Sequence, residues 1–421
     1  MTEEFLHYVW QFRLYKANLS LVSGEPLEIL HPGVHNLDSG PDFFNARIRI
    51  DETTWAGNIE IHINSSDWFR HHHHLDKAYG NVILHVVYHS DRQIALKDGN
   101  YLPELELKSL IDQHAWQRYL LFMGSKNWIP CENLITGADP VVFVSWLDAL
   151  LVNRIERKAK RVGDALIQSG NDWNAAFFRL LARNMGFKLN NDAFEQLALI
   201  LSYKQLARHS DKLFQLEALI FGQAGLLQGN FKDSYPLALR KEFKFLSKKY
   251  SLQTMDEHQW RFMRLHPGNF PTFRLSQFAQ IIHRSNGFMM KFIDSTDVSS
   301  LHELLSCEAS EYWKTHYRFD SITAPSLRKL GIMSVNLLLI NLVTPFMFVY
   351  GKTKNKPELV ERSVQLLEIT KGENNSITRS WAKHGIDVSR ASQTQALLEL
   401  KSNYCDQKKC LTCRIGLSLL K

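Results

Sequence analysis

The sequence predicts an α/β N-terminal domain, a mixed sheet with flanking helices, followed by an all-α C-terminal domain. Three observations predict it. Residues 43–50 and 58–63 alternate apolar and polar side chains at the period of half-buried strands. Residues 81–88, NVILHVVY, are apolar enough for a central strand. From Asp139 onward the apolar spacing becomes helical almost without interruption. The division expected is 1–135 for the α/β domain and 136–421 for a helical domain ending in a cysteine-rich tail. A chain of 421 residues exceeds the ~100–200 residues of one ordinary domain.

Hydrophobic residues at 45% and charged residues at 22% exclude a disordered or fibrous chain. A formal net charge of +7 favours contact with an acidic partner such as nucleic acid. Spread over the whole length, it equally describes a basic surface with no specialised partner. The N-terminal MTEEFLHYVWQFRLYK lacks the basic start, apolar run and small-residue cleavage site of a secretory signal. The longest apolar run, Gly331 to Tyr350, contains Asn336, Asn341 and Pro345 and reads as a buried core helix. A cytoplasmic protein is expected. Five cysteines, an odd number, point to thiols or metal ligands rather than a disulfide framework.

In chain order, residues 3–16 place Phe5, Val9 and Phe12 on one helical stripe. A short strand is expected at Leu27–Leu30, then the turn-rich HPGVHNLDSGPD, where Pro and Gly disfavour regular structure. In the strand at 43–50, Phe44, Ala46, Ile48 and Ile50 share one face and Asn45, Arg47 and Arg49 the other. After a turn at Trp55–Asn58, the next strand turns Ile59, Ile61 and Ile63 inward and puts Asn58, Glu60, His62 and Asn64 on the opposite face. The two strands read as a hairpin. Ser65, Ser66 and Asp67 offer an N-cap for a short helix through the histidines to Tyr79. The strand at 81–88 follows, with a further one at 101–107.

This order is helix, strand, strand with an acid at its start, strand with Glu60-Ile61-His62, helix, strand. It resembles the core of the restriction-endonuclease-like PD-(D/E)XK phosphodiesterases, in which a Pro-Asp precedes an (Asp/Glu)-x-Lys. Here Pro41-Asp42 is followed 18 positions later by Glu60-Ile61-His62. The lysine position carries His62. By GPDF, GNIEIH, SSDW, NVILHVV and later segments, nearly the full length also resembles an uncharacterised bacterial family, domain of unknown function 2851.

The first resemblance implies a metal-dependent nuclease, with Asp42 and Glu60 holding a magnesium or manganese ion that activates water and neutralises the scissile phosphate. The Ile61 carbonyl is a third oxygen ligand. His62, on the face of Glu60, can act as acid and base or can bind the ion itself and favour a transition metal. Asp38 and Glu4 are auxiliary acids. A Glu beside a His on a strand face is equally the polar face of a solvated strand. In the tetrad His71–His74, adjacent helical residues point about 100° apart. His71 and His74 could therefore share a site, with most of the tetrad on the surface. His85, within an apolar strand, reads as a satisfied core histidine.

In the helical region, Arg261, Arg264 and Arg274 surround a Pro-Gly-Asn turn flanked by aromatics, and their planar forks suit phosphate. The alternative is a structural turn whose arginines pair with carboxylates. Near the C-terminus, Cys405, Cys410 and Cys413 stand in a C-x4-C-x2-C pattern, and Cys131 in its turn completes a quartet for zinc or an iron–sulfur cluster. Unligated thiols are the alternative. Cys307 reads as a small core residue. The function expected is metal-dependent cleavage of DNA or RNA. The rival is a non-catalytic nucleic-acid-binding or scaffold protein on a degenerate nuclease fold, and a third option is hydrolysis of a small phosphoester.

Overall fold

A meander of antiparallel strands runs into a parallel crossover, and this change of direction creates the site. The computed structural model describes all residues except 37, 97, 98, 287, 288, 296, 326–328 and 421. The chain forms two compact units, residues 1–146 with 401–421, and residues 147–400.

In the first unit, helix α1 (Glu3–Gln11) is capped by Thr2, whose side chain accepts from Phe5 N, and buries Phe5, Leu6, Tyr8, Val9 and Trp10. Strands β1 (Leu19–Ser20), β2 (Pro26–His31), β3 (Val34–His35), β4 (Phe43–Ile50), β5 (Thr53–Asn64), β6 (Val82–His89) and β7 (Glu104–Glu106) form one sheet. Its order is β1-β2-β4-β5-β6-β7, with β3 also paired to β4. Pairing is antiparallel as far as β5 and parallel from β5 through β6 to β7. The β5–β6 connection crosses through the short helix α2 (Asp67–Arg70) and two single turns of 3₁₀ helix. A parallel pair requires such a crossover.

Four local readings shift, the first being the turn expected at Trp55–Asn58, which lies inside β5 because the chain already reverses at residues 51–52. In β4 the inward residue at the start is Phe43, with Ala46 and Ile48, rather than Phe44. The pairing register slips between Phe43 and Ala46, and Asn45 has φ 58°. A bulge of this kind adds one residue and reverses the facing of everything before it. In β5 both faces are covered, since Glu60 and His62 are only 4% and 1% exposed. The solvated-face alternative is therefore excluded. The helix expected through the histidines ends at Arg70, because His72 takes φ 61°, a left-handed conformation that L-residues do not continue as a helix.

Helix α3 (Gln113–Gly124), capped by Asp112, presents Tyr119 4.9 Å from Phe5 in a stacked pair. The last segment of the unit, Arg414–Leu420, is a helix whose Leu419 carbonyl accepts from Arg118.

The second unit is helical. The helix α4 (Pro140–Gln168) contains the boundary between the units. Trp173–Met185 is capped by Asp172, which accepts from Asn174 and Ala175 N, and Ser376–Lys383 carries a capping box from Asn375 and Thr378. The core gathers Phe177, Phe178, Phe194, Phe221, Phe278, Trp313 and Phe346. Strand structure enters as a small hairpin, His316–Arg318 with Ser321–Ile322. The apolar run is long and apolar enough as Ile332–Thr353 to cross a membrane by length and composition. It nevertheless places Val335, Leu338, Leu339, Leu342, Val343 and Phe346 in the core of this unit. Its middle, Leu339–Val343, is a π-helical turn.

Candidate functional site

Asp42 enters β4 and Glu60 sits on β5. Asp42 N donates to Glu60 Oε2 at 3.2 Å, and Ile61 N donates to Asp42 Oδ2 at 2.8 Å. The two acids singled out from the sequence are thus brought together. Burial, then the charge of Asp42, pushes the Glu60 carboxyl up to about 9. Two carboxylates sharing one desolvated place repel, so one holds its proton or both hold a cation. From α1, His7 Nε2 lies 3.3 Å from Asp42 Oδ2. Burial works to lower the His7 pKa, but the hydrogen bond and charge of Asp42, with Glu3 and Glu60, raise it overall.

Three histidines complete the cluster. Among the described residues, His62, His71 and His73 form a group whose ligand atoms all lie within 4.8 Å of one another. His62 Nε2 is 3.1 Å from His71 Nδ1 and 3.5 Å from Glu60 Oε1. His73 Nε2 is 3.1 Å from the same Glu60 oxygen, yet it is buried without an aligned hydrogen bond. Burial, followed by His85, His73, His71 and His7, pushes the His62 pKa down to about 2. His62 is therefore neutral, with a lone pair available, as a metal ligand requires.

Orientation of that lone pair comes from the neighbouring strands. Glu60, His85 and Glu104 are in register across β5, β6 and β7. His85 Nδ1 lies 3.3 Å from Glu104 Oε2, while His85 Nε2 lies 2.8 Å from His62 Nδ1. A proton on His85 Nδ1, facing the carboxylate, makes His85 Nε2 the acceptor. His62 then donates from Nδ1 and leaves Nε2 free toward His71. Trp68 closes the apolar side, its ring 5.4 Å from His73 and 5.5 Å from His85.

The donor set is mixed: two carboxylates suit magnesium or manganese, and three imidazoles suit a transition ion such as zinc or manganese. The chemistry of the residues present therefore fits a divalent metal, and His73 Nε2 is a buried donor atom awaiting a partner.

Other expected residues fall outside this cluster. Glu4 is exposed, and the charge felt by His7, Glu60 and His73 belongs to its neighbour Glu3. Asp38 is exposed in a loop pinned by Asn36, which accepts from Asp38 N. His74 packs its ring 5.2 Å from Phe69, so the partner of His71 is His73, two positions on. The left-handed His72 makes that spacing work.

Arg261 and Arg264 are exposed in the second unit. Arg274 is buried on the helix Pro271–Ser285, where its guanidinium lies 4.3 Å from the centre of the Phe187 ring. It donates to Gln277 Oε1 and Asn269 Oδ1. Cys307 is a buried core residue whose thiol donates to the Gln277 carbonyl.

His7, His73, His85 and Glu104 were missed by sequence reasoning. His7 lies one helical turn from Glu3, which offers no distinctive signal. Glu104 could have been found only by pairing its strand in parallel with β6.

Four of the cysteines, Cys131, Cys405, Cys410 and Cys413, lie near one another in the first unit. All are free thiols, with Cys131, Cys410 and Cys413 buried and Cys405 partly so. Burial raises the pKa of every one, and Cys131, Cys405 and Cys410 each also feel Cys413. Cys413 stands at the start of the final helix, where Ile415 and Gly416 N–H groups stabilise its thiolate against that burial. Four thiols are the donor type that zinc or an iron–sulfur cluster takes, but among the described residues the group whose ligand atoms lie within 4.8 Å of one another is the histidine trio and not the cysteines.

No curated protein and no solved structure matches the chain. A family model matches residues 3–376, nearly the whole length. The chain with this acid–imidazole cluster belongs to the family described as "Protein of unknown function (DUF2851)".

Proposed function

We propose that this protein is a metal-dependent nuclease of restriction-endonuclease-like type, cleaving phosphodiester bonds of DNA or RNA in the cytoplasm. The observation that carries the reading is the pairing of half-buried Asp42 with buried Glu60, joined through Asp42 N, with His62 3.5 Å from Glu60. The order of elements supports it: α1, an antiparallel β2–β4–β5 meander with the acid at the mouth of β4, then a crossover into parallel β6. The net charge of +7 suits a polyanionic substrate.

Asp42 and Glu60 would hold magnesium or manganese, and His62, His71 and His73 extend the choice to a transition ion. Such an ion supplies Lewis acidity and lowers the pKa of water. His85 and Glu104 fix the tautomer of His62. Trp68 and the strand β6 keep the His62 and His85 imidazoles desolvated. At the second centre, Cys131, Cys405, Cys410 and Cys413 would hold zinc or an iron–sulfur cluster, a staple between the turn at 131 and the final helix.

The test is cleavage of labelled single- and double-stranded DNA and RNA by the full-length protein with magnesium, manganese or zinc. Asp42→Ala and Glu60→Ala should each abolish it. Metal-dependent activity untouched by both changes would sink the reading. One observation favours a second reading: the residue in the lysine position, His62, is buried and engaged with His71 and His85. A retired nuclease that only binds nucleic acid would then show salt-sensitive binding without cleavage under any of these metals.

A further inference from the structure

The helical unit holds a cavity of about 670 Å³ whose wall is a run of cations. Arg154, Arg157, Lys158 and Arg161 recur on α4 at the spacing that puts residues on one helix face. Lys188 faces them from the turn after the helix Trp173–Met185. Like charges stacked along one face destabilise a helix, so the arrangement calls for a counter-charge.

The described residues supply too little of it. Glu399 is shared by Arg154 and Arg157. Glu373 lines the cavity but accepts hydrogen bonds from the neutral Gln395 and Asn375. Arg161 and Lys188 have no ion pair among the described residues. Among the described residues Lys158 Nζ donates only to neutral acceptors: the Ile340 carbonyl at 3.3 Å, Asn341 Oδ1 at 2.8 Å and Gln395 Oε1. The π-helical turn brings two of these to it. Burial first, then Arg154 and Arg157, pushes the Lys158 ammonium down to about 7 against the opposing pull of Glu373 and Glu399.

Two further features place strain and charge at the rim. Phe187 and Lys188 both take positive φ, 41° and 80°, a costly conformation that clusters at ligand sites. Behind Phe187 lies the Arg274 guanidinium, buried, with its Nε unpartnered among the described residues. Val162, Leu180 and Leu337 give the cavity an apolar side.

We propose that this cavity binds a small molecule carrying two or three linked phosphates. Residues 154 to 161 rise about 10 Å along the helix axis, longer than a single phosphate needs. The volume falls within the range of roughly 300–1,000 Å³ typical of small-molecule pockets. The site is independent of the acid–histidine cluster and stands whatever that cluster does.

The test is calorimetric titration of inorganic tripolyphosphate into the full-length protein near pH 8, in two buffers of different ionisation enthalpy. One-to-one saturable binding is expected. Proton uptake should accompany it, because a bound anion restores the charge of Lys158. The exposed changes Arg161→Ala and Lys188→Ala together should weaken binding about tenfold or more, whereas Asp164→Ala, exposed on the same helix, should not. Lys158→Met should remove the proton uptake. Absence of saturable binding, or binding indifferent to Arg161 and Lys188, overturns the proposal. So does a short single-stranded oligonucleotide that displaces tripolyphosphate at lower concentration than free nucleotide does, since the cavity would then serve a polymer.

Discussion

His85 Nε2 stands 2.8 Å from His62 Nδ1, with Glu104 on the far side of the same ring. This Glu–His–His line aims the neutral His62 imidazole into the cluster, where its Nε2 lies 3.5 Å from Glu60. Outer partners of this kind typically govern ~10–100-fold in metal affinity. His85→Ala should therefore weaken zinc binding by that order, measured by competition with a chromophoric chelator. Glu104→Gln should weaken it less, because the amide keeps an oxygen toward Nδ1. An unchanged affinity in His85→Ala would show that the line does not orient the ligand.

The backbone of His72 makes a separate prediction. Its φ of 61° is costly for a β-branched residue and free for glycine. His72→Gly should leave melting temperature and metal content close to those of the parent. His72→Val should cost about 1–2 kcal/mol and reduce metal content, because the turn that pairs His71 with His73 is lost. Equal behaviour of the two variants would mean that the turn is not what gathers the ligands.

Removal of metal tests the cysteine centre. Cys410→Ala and Cys413→Ala should lower bound metal by elemental analysis and lower the melting temperature. A visible absorbance band in the parent, bleached in the variants, identifies iron–sulfur, while zinc content without colour identifies zinc. Unchanged metal and unchanged melting would reject the centre.

Stability should fall as pH rises through the range set by Glu217. This carboxyl is buried, which raises its pKa, and it accepts from Ser276 and Tyr235. A folded-state pKa above the ordinary 4.5 means that the native state binds the proton more tightly. Its contribution is fully present below the unfolded value and is lost as pH climbs through the folded one. In Glu217→Gln that slope should flatten, read from melting temperatures between about pH 5 and pH 8. A slope as steep as the parent's would assign it to another group.

Much of the sheet was legible because its signals are local. The strand at 43–50 has the expected bounds, and the acids Asp42 and Glu60 meet. What the sequence hid was set by single backbone angles or by distant pairings. Asn45 reverses the facing of Phe43 through its bulge, and His72 replaces a helical spacing of three by a turn spacing of two. His85 and Glu104 join only because β5, β6 and β7 run parallel in one register. The cationic run 154–161 passed in the sequence as part of an ordinary helical period. The cavity it lines depends on a π-helical turn and on Lys188, neither of which has a local signature.

The division of the chain carries a consequence for how the protein forms. Residues 147–400 are an insertion within the first unit, whose own last segment is 401–421. During synthesis the sheet and the turn at Cys131 emerge first. They must wait for the whole helical insertion to be made before Cys405, Cys410 and Cys413 arrive. The order of completion is thus imposed by connectivity: the second unit can close while the first still lacks its final helix.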